Sequence, residues 1–228
     1  MSEHRFSTPE ALDRALCENI SNRLGQALAR RGAAYLVVSG GSTPKGLFKR
    51  LANANLDWSK VTVLLADERW VSTTHPDRNE SLVRRTLLQN KAAAANFLSL
   101  LPAYPDMAAN VQQVDAEVAA LPRFDVVLLG MGADSHTASL FPCAPEIESA
   151  LSTTANALAT HPTTAPHARV TLSRHRLENT DWGVVHITGA DKYRIAVQAQ
   201  TQADVYAAPV GAMLPPRGRF ELWCTHDA

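Results

Sequence analysis

FDVVLLGMGADSHTASLFP, residues 124–142, is the stretch on which the reading of this chain turns. Its first six residues are almost continuously apolar, the pattern of a strand buried on both faces. Gly130 and Gly132 break the run, and Asp134, Ser135 and His136 follow before a predicted helix start. A buried strand that hands an acid and an imidazole to a glycine-rich loop predicts a site rather than a packing feature.

Working outward, similar junctions recur. Residues 33–38 form a short apolar run ending in Ser39-Gly40-Gly41-Ser42-Thr43-Pro44, and Pro44 suits the first position of a helix. Such a loop leaves backbone N–H groups unpaired and sets hydroxyls beside them, which favours phosphate. The plainer reading is a glycine turn with a helix cap. No Lys-Ser/Thr follows Gly46, so the loop is not of the Walker type. Residues 61–66, VTVLLA, predict a second buried strand leading into Asp67-Glu68-Arg69-Trp70. Arg69 there is suited to bidentate phosphate binding, or else to a surface salt-bridge cluster. Residues 182–188, WGVVHIT, predict a strand that turns through Gly189-Ala190-Asp191-Lys192 into a helix reaching about residue 200.

Between these junctions, Thr8 and Pro9 open an amphipathic helix with Leu12, Leu16, Ile20, Leu24 and Leu28 at spacing four, and Gly32 stops it. Asn79 is expected to cap a helix to about residue 90. Residues 98–101 predict a short strand, 106–121 a helix, 169–172 a strand with a helical turn from Ser173, and 220–225 a strand closing the tail that begins at 209. Residues 145–166, rich in Ala, Thr and Pro, read as loop with room for one strand. The alternation predicts an α/β fold, a single domain over residues 1–228 with a mostly parallel sheet flanked by helices. Parallel strands share one carboxyl edge, so the SGGSTP, DERW, ADSHTAS and GADK loops are expected to converge on one crevice.

Composition narrows the function classes. Basic and acidic residues balance at 22 each, so no global field favours nucleic acid or an anionic membrane, and any anion needs a local site. No apolar run is long enough to span a bilayer, and the N-terminus lacks the apolar core of a secretory signal. Cys17, Cys143 and Cys224 are widely spaced without a CxxC pair, which fits reduced thiols in a cytoplasmic protein.

The expected crevice would hold a phosphate cradle, the cations Arg69 and Lys192, and His136 as the titrating group. Imidazole suits proton transfer at neutral pH, and Asp134 is placed to orient the ring, although a spacing of two does not establish contact. Ser135, Ser139, Ser42 and Thr43 are available nucleophiles. No GxSxG elbow is present, however, and Ser135 adjoins His136, so water activated by His136 is the more economical scheme. A dinucleotide site is disfavoured because Ser135 breaks the GxGxxG pattern. No metal is expected: none of the eight histidines forms HExxH or an i,i+4 pair, and His161 and His167 fall in a predicted exposed loop. His186 in its apolar strand reads as a core residue, and Trp58, Trp182 and Trp223 as packing residues.

SGGSTP, LLADERWV, DRNESLVRRTLL, FDVVLLGMGADSHTASLFP, RVTLS and ITGADK occur in the order and approximate spacing seen in 6-phosphogluconolactonases of the compact bacterial type, and from about Tyr35 onward the chain resembles that family. The resemblance implies a modified Rossmann-like fold, similar to that of glucosamine-6-phosphate deaminases. It also implies carboxylic ester hydrolysis of 6-phospho-D-glucono-1,5-lactone to 6-phospho-D-gluconate, the second step of the oxidative pentose phosphate pathway. His136 matches the family's general base; Gly40, Gly41, Ser42, Thr43, Asp67, Arg69, Arg169 and Lys192 match positions that resemble substrate or phosphate contacts. No metal or organic cofactor is implied, and the expected partner is a small sugar-phosphate lactone bound by a monomer or small homo-oligomer. Backbone N–H groups around residues 40–42, or that of Gly132, are the candidate oxyanion donors.

Two positions depart from the family pattern: Ser135 and Cys143 stand where glycines are expected. Glycine often marks positive φ, so Ser135 is expected either to strain the loop or to show that the position never required it. The competing readings are an amino-sugar-phosphate isomerase or deaminase of the same fold, and a non-enzymatic sugar-phosphate sensor. The sensor leaves His136 without a task.

Overall fold

A computed structural model describes residues 2–215 and 218–225. Residues 216–217 of the predicted tail, and the extreme ends of the predicted domain, lie outside that range.

Seven strands form the main sheet: β1 (Glu3–Phe6), β2 (Ala34–Val38), β3 (Val61–Leu65), β5 (Asn96–Leu98), β6 (Phe124–Leu129), β9 (Thr180–Ile187) and β10 (Phe220–Thr225). They lie in the order β1-β10-β9-β6-β2-β3-β5, and every neighbouring pair is parallel. From β2 the chain moves outward to β3 and β5, then returns to β6 on the other side of β2. The β2/β6 boundary is therefore the topological switch point, whose carboxyl end opens a crevice in folds of this kind. Both the SGGSTP loop and the GMGADSH loop leave the sheet there.

All six residues of β6 are buried, Asp125 included. The Asp125 carboxylate stays inside because its Oδ2 accepts Tyr35 N–H at 2.8 Å and pairs with Arg31 Nη2 at 2.5 Å. Helix α1 (Pro9–Arg31) begins where predicted: Thr8 Oγ1 accepts the Ala11 N–H, and Gly32, at φ 74°, ends it with its N–H on Leu28 O. Leu12, Leu16, Ile20 and Leu24 are fully buried. At about 1.5–3 kcal/mol each, that burial rather than helix propensity holds α1 against the sheet. The other helices are α2 (Lys45–Leu51), α3 (Asn79–Thr86), α4 (Met107–Ala119), α5 (Ile147–Ser152), α6 (Arg174–Glu178), α7 (Ala190–Thr201) and α8 (Pro209–Met213). Trp58, Trp182, Trp223 and His186 all lie in the interior, as expected.

Several elements differ from the sequence reading. DERW does not simply end a parallel strand; Asp67–Arg69 is β4, part of a second, antiparallel sheet with β8 (Arg169–Leu172) and β7 (Ala157–Thr160). Strands of three or four residues carry too little periodicity to reveal such pairing. No helix starts directly after His136; the next, α5, begins at Ile147. Ser135 and Ala138 both have positive φ, an isolated bridge joins Thr137 to Leu140, and Pro142 and Pro145 withhold N–H groups, so the segment turns instead. Helix α3 ends at Thr86 rather than near residue 90, and the strand expected at 98–101 lies at Asn96–Leu98. β1, α5 and α8 were not anticipated.

Candidate active site

The carboxyl ends of β9, β6, β2 and β3 are consecutive along the sheet edge, so the four polar loops do converge. They enclose a cleft of ≈ 260 Å³ lined by Ser39 to Pro44, Asp67, Arg69, Gly130 to Gly132, His136, Arg169 and Lys192, together with Asn79, Ala138, Phe141 and Ala165. Asp134 is not a lining residue of the cleft; it reaches it through His136.

The loop after β6 is wound tightly. Gly132 donates its N–H to His136 O at 2.9 Å, and Ser135 donates its own to Gly132 O at 3.1 Å. That turn requires φ 65° at Ser135, so the site where a glycine was expected does adopt the left-handed region. A β-carbon there costs on the order of 1–2 kcal/mol. Local bonds hold the conformation: Ser135 Oγ donates to Asp134 O at 2.5 Å, and Val210 donates to Ser135 O at 3.0 Å.

The turn folds Asp134 back onto His136. Asp134 Oδ1 lies 2.5 Å from His136 Nδ1 and accepts the His136 backbone N–H at 3.2 Å. Burial opposes ionisation of Asp134, but the His136 hydrogen bonds and charge prevail and hold its carboxyl below the usual range. Phe141 stacks on the face of the ring, centroids 4.0 Å apart. With Nδ1 engaged by a carboxylate, Nε2 is the ring nitrogen left for the cleft. Gly132 makes this possible: a β-carbon at 132 would fall 2.2 Å from the imidazole and 2.6 Å from Asp134 Oδ1. Its N–H, being committed to His136 O, is no oxyanion donor, which corrects one of the two expectations for that role.

Across the cleft, the N–H groups of Gly40, Gly41, Ser42 and Thr43 donate to no backbone acceptor among the described residues. Pro44 sits one place before α2, as its N-cap, rather than at the first helical position. Asn79 packs against this loop so closely that a β-carbon on Gly40 would lie 2.0 Å from its Oδ1.

Asn79 does not cap α3 through its side chain; it is the first helical residue, and its Nδ2 donates to Asp67 O. The cap comes from Glu68, fully buried, whose two oxygens accept the N–H groups of Arg69, Asn79 and Glu80 at 2.7–2.8 Å. Burial raises the Glu68 carboxyl to about 7 against the opposing pull of those donors. Thus Glu68 ties β4 to the start of α3. Sequence patterning missed this role because the acceptor precedes its helix by eleven residues, not three.

Three cations face the cleft. Arg69 and Arg169 are register partners across β4 and β8. Arg69 Nη1 donates to Asp77 O and Arg169 Nη2 to Pro166 O, each at 2.8 Å, while both Nε atoms are buried without partners. Burial lowers the Arg169 guanidinium, partly offset by Asp67. Lys192 arrives on the first turn of α7 and joins no ion pair among the described residues. Asp67 is buried and bonded, its Oδ2 accepting Ser139 Oγ at 2.5 Å. Cys143 contacts Thr164 Oγ1 at 3.2 Å and does not line the cleft.

Residues 7–222 match the family model for glucosamine-6-phosphate isomerases/6-phosphogluconolactonase. The 6-phosphogluconolactonase of Rhizobium meliloti is 40% identical over 214 residues, covering 92% of each chain. That of Pseudomonas putida is 36% identical over 213 residues, covering 92% of this chain and 88% of its own. The crystal structure of a 6-phosphogluconolactonase from Shewanella baltica superposes with a TM-score of 0.95 at 43% identity, covering 100% of this chain and 98% of the other. A monomeric glucosamine-6-phosphate deaminase, 15% identical, shares the fold at a TM-score of 0.84. With matches spanning nearly its whole length and a cleft built where this fold places its ligands, the chain belongs to the glucosamine-6-phosphate isomerase/6-phosphogluconolactonase family.

Proposed function

We propose that the chain is a lactonase that hydrolyses 6-phospho-D-glucono-1,5-lactone to 6-phospho-D-gluconate, with His136 as general base and Asp134 as its positioning residue. The observation that carries this reading is the Asp134–His136 pair at 2.5 Å, opening onto a cleft that also holds Arg69, Arg169 and Lys192. One end of the cleft supplies a base and the other the charge for a phosphate. Arg69 and Arg169 stand directly opposite each other, an unfavourable like-charge pair unless an anion lies between them. The N–H groups of residues 40–43, which donate to no backbone acceptor among the described residues, supply further donors for such an anion.

His136 Nε2 takes a proton from water as the water oxygen adds to the lactone carbonyl, and Asp134 stabilises the imidazolium. Negative charge gathers on the former carbonyl oxygen, for which the N–H groups of residues 40–42 are the remaining donors. Collapse re-forms the carbonyl, breaks its bond to the ring oxygen, and returns the proton from His136 to that oxygen. Phosphate contacts by Arg69, Arg169 and Lys192 turn remote binding energy into orientation of the ring. The substrate is thus a small phosphorylated lactone, handled by a chain in which no described helix is long and apolar enough to cross a membrane.

The test is an assay that follows 6-phosphogluconate formation from freshly prepared lactone against spontaneous hydrolysis. Wild type should exceed that background, and His136→Ala should lose about 10²–10⁴-fold in kcat with KM nearly unchanged. Undiminished turnover by His136→Ala would remove the base.

A further inference from the structure

Beside the cleft, the loop before α3 meets the loop before β8 through three side chains, one of which, His167, belongs to a segment expected to be an exposed loop. His75 and Asp77 come from the first loop and His167 from the second, and one ligand atom of each lies within 4.8 Å of the others. His167 Nε2 is 2.9 Å from Asp77 Oδ2, and His75 Nδ1 is 4.0 Å from the same oxygen. The imidazoles meet edge to face with centroids 5.0 Å apart. We propose that His75, Asp77 and His167 form a binding site for one transition-metal ion of the zinc type, separate from the catalytic pair.

The donor set selects the ion. Two imidazole nitrogens and one carboxylate oxygen match the three-ligand pattern of open zinc sites, with water completing the tetrahedron. Magnesium and calcium, which take oxygen ligands, fit poorly. Zinc bonds of about 2.0–2.2 Å place neighbouring ligand atoms roughly 3.3–3.5 Å apart. The two separations from Asp77 Oδ2, 2.9 and 4.0 Å, straddle that range, and all three ligand atoms lie within 4.8 Å of one another, so closure needs side-chain rearrangement without movement of the backbone elements. All three residues are at least partly exposed, which leaves room for that rearrangement and a path for the ion.

Two present interactions must yield. The hydrogen bond between His167 and Asp77 loses its proton, and the Asp77 N–H, which donates to His75 Nδ1 at 3.1 Å, must release that lone pair. Arg69, bonded to Asp77 O, adds a cation nearby. These opposing effects set a micromolar rather than a tighter affinity. Backbone geometry favours the arrangement from the other side: His167 is held at φ 68°, in the left-handed region, where its ring faces Asp77. Once bound, the ion would staple together the two loops that flank Arg69 and Arg169, so its signature is stabilisation rather than a chemical step.

The experiment is calorimetric titration of the purified full chain with Zn²⁺, backed by competition with a chromophoric chelator and by thermal melts with and without zinc. One equivalent should bind with micromolar affinity, and the melting temperature should rise by about 3–6 °C at a tenfold excess over Kd. His167→Ala and the conservative His75→Gln should each weaken binding by about 10- to 100-fold or more. His136→Ala and Cys143→Ser should bind zinc as wild type does, and Mg²⁺ should not bind. The proposal is overturned if wild type takes up no stoichiometric zinc. Unchanged binding in the His75→Gln/His167→Ala double variant, or loss of binding in His136→Ala, which would place the ion on the cleft pair, also overturns it. Zinc-free melts of each variant separate a folding defect from a lost ligand.

Discussion

Replacing Asp134 by Asn isolates what its charge does for His136. The substitution keeps the side chain's shape and an oxygen able to accept the Nδ1–H, and removes only the negative charge. Unit charges about 4 Å apart interact by ~4 kcal/mol at an effective dielectric constant near 20. The two side chains are 29% and 40% exposed, so solvent screens part of this. A charge-assisted hydrogen bond, at about 1.5–3 kcal/mol, is the better measure of what is lost when the imidazolium forms. At 1.36 kcal/mol per decade, kcat should fall about 10- to 150-fold. KM should hold, because the interaction strengthens only as the proton moves onto the ring. Initial rates on fresh lactone, corrected for spontaneous hydrolysis, measure kcat and KM, and a melting curve checks that the loop is intact. A kcat within twofold of wild type, with an unchanged melt, would refute a role for this charge in stabilising the imidazolium.

Other consequences concern different parts of the site. Lys192→Ala should raise KM for the phosphorylated lactone by about tenfold or more while barely changing that for unphosphorylated gluconolactone, since only the former presents a dianion; equal effects on both would remove Lys192 from the phosphate end. Gly132→Ala drives a β-carbon to 2.2 Å from the imidazole, so kcat should drop by about 10²-fold or more although the cost to the melting temperature is small. An active Gly132→Ala enzyme would show that His136 works from another rotamer. Burial lowers His186 to about 4, so between about 6.5 and 4 the unfolded chain binds a proton that the folded chain does not, and stability is lost as pH falls through that window. Denaturation midpoints of wild type should therefore fall faster on acidification than those of His186→Gln, and parallel curves would count against the buried neutral imidazole.

Much of this molecule was legible before folding was considered. The cap and stop of α1, its spacing-four core face, the buried strands and the loops that follow them depend on residues near one another in the chain. So does the inference that parallel strands bring those loops to one edge. Ser135 shows what the family resemblance adds: it marks a position where glycine is expected, and the backbone adopts φ 65° there. Whether that turn would press Asp134 onto His136 depended on the tight bonds from the Gly132 N–H to His136 O and from the Val210 N–H to Ser135 O, the last donor coming from a distant helix.

What only the tertiary structure decided shares a physical cause, namely pairing between groups far apart in sequence. Arg69 faces Arg169 because two short antiparallel strands, neither long enough to show a period, align one hundred residues apart. Glu68 caps α3 from eleven residues upstream, and His167 crosses to Asp77 from a segment that reads as plain loop. Local pattern records which face of a helix or strand seeks the interior. The partner of a lone charge is set by register and loop closure, whose energies are spread over the whole fold, and the FDVVLLGMGADSHTASLFP stretch becomes a base with an orienting acid only once those distant contacts close around it.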